Sequence, residues 1–424
     1  MKAYLSKRAL FPRFLLQAPH TELNMVVVIP CLAEPKLLQS LAALKACSQP
    51  PCAVEVLIVI NHSEAADETL KAFNINSYQK ANAWCRANSI PKFAFYTILA
   101  QNLPKKHAGV GLARKLGMDE ACHRISDAGQ SDGVIVAFDA DATCSSNFLS
   151  SIFSAFRQMP KQQAISLSFE HPLSGEAYPE AIYQAIAEYE LHLRYFINVQ
   201  RFIAYPLAYQ TIGSSMAVRA SAYAAQGGMN RRQAGEDFYF LHKFSRIGKL
   251  TDWTDCTVFP SPRRSDRVPF GTGKAVGDLL DQQQHFQTYA PTSFLEWQQI
   301  ESIIPQWYIG RKNGPVSPEL GAFLAQLDLP VKLQELKTHS SDLPSFRKRC
   351  YQWLDAFQLM KYLHYRRDQG QHHVPVEQAA IQLLNWTAQP FEGNPKDTKA
   401  LLRKYRALDR ESSWWANDGQ IARL

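Results

Sequence analysis

Two acidic pairs are the residues of this chain best suited to chemistry. Asp139-Ala140-Asp141 follows the apolar run 133–138, and Gly235-Glu236-Asp237 precedes the periodic Phe238, Phe240, Leu241 and Phe244. Carboxylates one residue apart at a strand's carboxyl end offer oxygen ligands to a hard divalent cation such as Mg2+ or Mn2+. A carboxylate at a helix start can face a cleft as a general base, and the same placement also stabilises the helix dipole. By itself the D-x-D equally suits a solvated turn that caps the next helix. A third candidate is the basic loop Pro262-Arg263-Arg264-Ser265-Asp266-Arg267, continuing through Phe270 to Lys274. Guanidiniums on a glycine-containing loop suit bidentate binding of phosphate and closure over a ligand; the alternative is a solvated basic turn. Gly271-Thr272-Gly273-Lys274 mimics the tail of a P-loop but lacks its first glycine and the hydroxyl residue after the lysine.

The surrounding pattern supplies elements to position these groups. Short β-branched or apolar runs at 25–30, 54–60, 93–99 and 133–138 read as buried strands. Helical periodicity separates them, opening at Glu34-Pro35 with Leu37, Leu38, Leu41 and Leu44, then over 67–88 and 110–125. Such alternation predicts a parallel α/β sheet, whose carboxyl edge is where ligands bind. Further on, a helix at 146–156, a strand at 164–169, a long helix at 176–202, a strand at 211–218 and an edge strand at 250–259 are expected. Tyr178, Tyr183, Tyr189 and Tyr195 of the long helix are expected to pack in a core rather than stack on sugar rings. From residue 291 onward the residues favour helices.

Composition bounds the function classes. At 424 residues the chain exceeds a comfortable single core, and 46% hydrophobic with 11% aromatic residues is globular. A net charge of +8 without a Lys/Arg stripe admits an anionic substrate or membrane surface and argues against nucleic acid. Eight scattered cysteines without C-x-x-C point to reduced thiols of a cytoplasmic protein, not to a disulfide scaffold or zinc site. No apolar run reaches the roughly 18 residues of a membrane span. The N-terminal segment mixes Lys2, Lys7, Arg8 and Arg13 with Leu10, Phe11, Phe14 and Leu16. It is expected to pack on the domain, with peripheral contact to the inner face of a membrane as the alternative.

Five blocks in order carry a resemblance. They are the first strand with Pro30 and Glu34, the stretch Gly109 to Gly117 with Arg114, the D-x-D, the stretch Thr211 to Arg219 with Gly227-Gly228, and Glu236-Asp237. Over residues 24–274 the chain resembles a family 2 glycosyltransferase of the GT-A fold. That implies a GT-A domain over 22–285, with a Rossmann-like, mostly parallel sheet, followed by a helical region of unassigned role over 286–424. It implies transfer of a sugar from a nucleotide diphosphate, a UDP-sugar first, to an acceptor hydroxyl, by metal-assisted displacement with inversion. The acceptor, whether glycan, lipid-linked or small molecule, is not specified. By the same resemblance Asp141 and Asp139 hold a divalent metal, Asp139 also meets the ribose, and Asp237 with Glu236 beside it is the base. Pro30, Glu34 and Arg114 fall on the donor side by that resemblance, and Met216 and Gly213 on the acceptor side; Asn61 and, from the basic loop, Arg264 and Arg267 are further donor-side candidates.

The chain departs from the family pattern at Asn61-His62-Ser63, where many relatives carry paired acids, and at Ala33, where asparagine is usual. His285 is a remote candidate for a third metal ligand. Two other classes remain open: a haloacid-dehalogenase-type phosphohydrolase with Asp139 as nucleophile, and a catalytically silent scaffold presenting its helical region.

Overall fold

The computed structural model describes residues 1–269, 271–311, 314–411 and 413–416. The chain divides into two compact units. One comprises residues 1–172 and 209–277, and the other residues 173–208 and the chain from Asp278 onward.

The first unit opens with the helix α1 (Lys2–Arg8) and continues through β1 (Leu23–Cys31), α2 (Leu37–Lys45), β2 (Ala53–Ser63), α3 (Glu68–Asn88), β3 (Phe93–Leu103), α4 (Val110–Asp127) and β4 (Val134–Ala137). These strands pair in parallel in the order β3-β2-β1-β4. β1, β2 and β4 are buried almost end to end, as parallel strands covered on both faces must be, whereas β3 at the edge alternates. The Asp67 carboxylate caps α3 by accepting from the Leu70 amide at 2.7 Å. α2 starts at Leu37, so Pro35 lies ahead of it, and Glu34 instead accepts from the Lys36 amide at 3.0 Å. Gly117 brings α4 close to the sheet: a Cβ there would lie 2.3 Å from Val28 Cγ1.

Past the D-x-D come β5 (Thr143–Cys144), α5 (Phe148–Gln158), β6 (Ala164–Phe169), α6 (Glu180–Phe202), β7 (Met216–Arg219), α7 (Ala220–Ala225), α8 (Glu236–Ser245) and β8 (Leu250–Phe259). β7 runs antiparallel between β4 and β6, and the sheet ends β6-β8-β5. β8 is therefore not an edge strand, because β5 pairs antiparallel with it. The expected strand at 211–218 begins only at Met216, since residues 211–215 turn across the carboxyl edge. This is the Rossmann-like, mostly parallel sheet of the GT-A expectation. The N-terminal segment packs on the same unit through Tyr4, Leu5 and Leu15, leaving Leu16 exposed.

The second unit is helical, from Pro291–Tyr308 to Thr398–Leu408, with one antiparallel ribbon pairing Gln287–Thr288 and Val374–Pro375. The long helix α6 belongs to this unit, so the division is discontinuous rather than a single cut near residue 285. Tyr183 and Tyr195 of α6 are buried, which suits packing. Val376–Trp386 and Thr398–Leu408 pack on α6. Among the described residues no helix is long and apolar enough to cross a membrane.

Candidate active site

The two acidic pairs meet at the carboxyl edge of the first unit's sheet, joined by one arginine. α4 leaves β3 at that edge, and its second turn carries Arg114, whose side chain is only 2% exposed. Arg114 Nη2 donates to Asp139 Oδ1 at 2.8 Å, and Nη1 pairs with Glu236 Oε1. Asp237 adds a third negative charge to the field at the same guanidinium. Gly235, with φ at 68°, turns the chain into α8, and that helix start places both acids on the cluster. Asp237 Oδ1 accepts from the Phe238 amide at 2.7 Å, and the carboxylate also accepts from the Gly213 amide.

A side chain at Gly213 would displace its neighbours. A Cβ there would lie 2.8 and 2.9 Å from the two terminal nitrogens of Arg114 and 2.9 Å from Asp237 Oδ2. The loop ahead of β7 therefore presses its backbone against the ion cluster.

One guanidinium faces three carboxylates, and the imbalance shows in their proton affinities. Burial raises Asp139; Arg114 opposes it, while Asp141 and Asp237 push the same way as burial. Burial likewise raises Asp237 against the pull of Arg114. Glu236 is pushed up from 4.5 to about 7, first by burial and then by Asp237, again against Arg114. For Arg114, burial works against the charge, but Glu236, Asp139 and Asp237 outweigh it and raise its pKa. Carboxylates so raised are stronger bases than free ones, which is how a site is tuned for proton abstraction.

A second ion group adjoins the D-x-D. Arg263 Nε donates to Asp141 Oδ2 at 2.6 Å, and its Nη2 reaches Glu34 Oε2 at 2.7 Å. Arg267 Nη1 lies 3.4 Å from the same Glu34 oxygen, and its Nη2 donates to the Ala33 carbonyl at 2.8 Å. The basic loop thus closes onto the first strand's exit through Arg263 and Arg267. Arg264 is placed differently: its Nε lies 3.8 Å from Asp266, and its side chain packs over Gly277. Of the three arginines within five positions of this loop, residue type and spacing do not distinguish Arg263 as the one that reaches Asp141. Phe270 of this loop lies outside the described residues.

The D-x-D leaves carboxylate oxygens that a divalent cation would use, although the cluster of three possible ligands among the described residues is Glu188, His285 and Glu377. Asp139 and Asp141 each use one oxygen in an arginine pair, which leaves Asp139 Oδ2 and Asp141 Oδ1 outside those pairs. Asp139 is 37% exposed and so opens to a ligand. Across both groups five carboxylates (Glu34, Asp139, Asp141, Glu236, Asp237) face three guanidiniums (Arg114, Arg263, Arg267), a surplus of two negative charges when all are ionised. His285 has acidic partners of its own. It belongs to the second unit, where Nδ1 lies 3.0 Å from Glu188 Oε1 and where Glu188, His285 and Glu377 converge closely enough to hold an ion of their own.

The other expected donor-side residues lie on inner strands of the same sheet. Pro30 is buried on β1, and Asn61 is buried near the end of β2, where its carbonyl accepts from Asn74 Nδ2 at 2.9 Å. The cation on Asp139 is an arginine, and Lys115 pairs instead with Asp119 at 2.9 Å. Among the described residues the phosphohydrolase alternative thus finds no lysine paired with Asp139.

No family model matches the sequence, and no curated protein is similar to it. Among solved structures, the chain is similar to residues 1–349 of TarS from S. aureus in complex with UDP-GlcNAc, at 11% identity, 92% of this chain, 91% of that one and a TM-score of 0.37. The same fragment in complex with UDP matches at 11% identity, 92% and 90% coverage and a TM-score of 0.35. The mannosyltransferase PcManGT from Pyrobaculum calidifontis, in complex with GDP-Man and Mn2+, matches at 13% identity, 96% and 91% coverage and a TM-score of 0.36. Identity and superposition this low leave the residues themselves as the ground for a functional assignment.

Proposed function

We propose that this chain is a metal-dependent, inverting glycosyltransferase, similar to family 2, that takes its sugar from a nucleotide diphosphate. The observation that carries the proposal is the meeting of Asp139 with Glu236 and Asp237 around Arg114. Residues remote in sequence converge there on one sheet edge, with an acidic surplus suited to a divalent cation.

In this scheme Asp139 and Asp141 hold the cation, which supplies neutralisation of charge on the departing diphosphate. Arg263 and Arg267, on a loop that already reaches the D-x-D and Glu34, contribute guanidiniums to the same phosphates. Arg114 fixes Asp139 and Glu236 relative to each other, so the donor and base sides share one anchor. Asp237 takes the proton of the acceptor hydroxyl, with its affinity for that proton raised by burial. The backbone at Gly213 holds Asp237 in place.

The deciding experiment is a panel of nucleotide-sugars, UDP-sugars first and GDP-sugars beside them, assayed with Mg2+ or Mn2+ by thermal shift and nucleoside diphosphate release. Asp141→Ala should abolish metal-dependent donor binding. Asp237→Asn should keep donor binding and lower turnover by about 10²–10⁴-fold. Phosphate release from an aryl phosphate, with no nucleotide-sugar bound, would overturn the assignment.

A further inference from the structure

Two of the eight cysteines are neighbours in space. Cys47, just past α2, and Cys144, on β5, have their sulfurs 3.5 Å apart. The backbones around them are already tied, since the Ser48 amide donates to the Ser146 carbonyl at 2.7 Å. Cys47 is buried, whereas Cys144 is only half-buried and gives small molecules a way in.

Their surroundings set this pair apart from the other thiols. Cys47 is lowered from its ordinary value by its hydrogen bond with Cys144, in which either sulfur can donate. Burial opposes that, and the backbone amides of Leu149 and Phe148, at the start of α5, reinforce it. Amides at a helix N-terminus and a second thiol in contact favour a thiolate, whereas the Ala43 carbonyl at 3.3 Å and the Ser145 carbonyl at 3.7 Å accept from the protonated Cys47 thiol. Burial pushes the remaining thiols the other way: Cys52 to about 11, and Cys31, Cys85, Cys122, Cys256 and Cys350 to about 12. Among the described residues, Cys47 is the one thiol that is lowered, and its partner Cys144 is raised, first by the hydrogen bond between them and then by burial.

We propose that Cys47 and Cys144 are a peroxide-responsive pair that forms a reversible disulfide, with Cys47 as the attacking sulfur and Cys144 as the resolving one. The Cys47 thiolate attacks a hydroperoxide, takes one oxygen to become a sulfenic acid, and the alcohol or water leaves with the added proton. The Cys144 sulfur then attacks the Cys47 sulfur, the S–O bond breaks, and water departs with the Cys144 proton. Two electrons pass from the thiols to the peroxide. The bond ties α2 to the strand that follows Asp141, and α2 already touches the D-x-D turn, where Ser40 Oγ donates to the Ala140 carbonyl at 2.8 Å.

The test treats the full chain with hydrogen peroxide, blocks remaining thiols with N-ethylmaleimide and maps the digest by mass spectrometry. The expected result is a Cys47–Cys144 linked peptide, lighter by two hydrogens and released by dithiothreitol. It should form at least about tenfold faster than any modification of the other six thiols. Cys144→Ser should leave Cys47 as a sulfenic acid captured by dimedone, and Cys47→Ser should give no linked peptide. Both swaps are near-isosteric, and a thermal melt verifies that each variant is folded. Unmodified Cys47 and Cys144 while other thiols oxidise, or a Cys144–Cys256 link in their place, would overturn the proposal.

Discussion

Helix α4 carries two buried arginines that do opposite jobs. Arg124, near its C-terminal end, is hydrogen-bonded to a single acid: Nη2 donates to Glu55 Oε1 at 2.7 Å, Nε pairs with Oε2, and Nη1 donates to the Gln17 carbonyl at 3.0 Å. One guanidinium is paired with one carboxylate and its other edge is filled by backbone, while buried Glu120 adds a weaker negative charge to its field. Arg114, near the N-terminal end, faces Asp139, Glu236 and Asp237. The first arrangement is complete in itself and ties α4 to β2. The second carries a surplus of negative charge, held at a sheet edge where a ligand can reach it. Buried ion pairs close to balance are consistent with architecture, whereas a buried surplus is costly and persists where a charged ligand relieves it.

Removing each arginine sharpens that contrast most. Arg124→Met should cost about 3–5 kcal/mol by leaving Glu55 buried and unpaired, and adding Glu55→Leu should restore most of it. Arg114→Met should cost at least about as much and also abolish donor binding, with no single acid substitution restoring both. Denaturant unfolding and donor titration measure the two, and recovery of Arg114→Met by Glu236→Gln alone would erase the distinction.

Acidity provides the next test. Glu236 has a folded-state value of about 7 against 4.5 for a free carboxyl. The native protein therefore keeps a proton that the unfolded chain releases. Stability from that proton is full below about pH 4.5 and is lost as pH rises to about 7. Glu236→Gln removes the loss, so its stability relative to wild type should climb by on the order of 2–3 kcal/mol across that window. Urea unfolding at several pH values reads the difference, and parallel curves would contradict it.

Gly213→Ala pushes a methyl into Arg114 and Asp237 and should cost about 1–3 kcal/mol, with a larger proportional loss of turnover than of donor affinity. Unfolding and steady-state kinetics together separate those effects. The smallest stability change belongs to Arg263→Ala, under about 1 kcal/mol because that side chain is partly solvated. Its donor affinity should nonetheless weaken by about tenfold, which calorimetry can detect.

The sequence pattern located most of the sheet. β6 and β8 occupy the residues expected for them, and Asp67 caps α3 at the anticipated start. Local chemistry suffices there, because apolar runs and capping side chains act on their immediate neighbours. The late start of β7 was not legible: residues 211–213 look strand-like, yet they turn so that Gly213 can meet Arg114. Nor could periodicity show that α6 belongs with the C-terminal helices, since an apolar stripe does not say what will cover it.

The candidate site divides along the same line. Asp139, Asp141, Glu236, Asp237 and Arg114 were recognisable from residue type and order. That Arg114 joins the two acidic pairs, that Arg263 rather than Arg264 reaches Asp141, and that Cys47 meets Cys144 were decided by tertiary structure alone. The amino-acid order by itself determined which segments become strands and helices and which carry charge, because those properties follow from neighbours a few residues away. Only folding determined which charges share a buried space, because electrostatic energy depends on distance and burial, and neither is written in residue order.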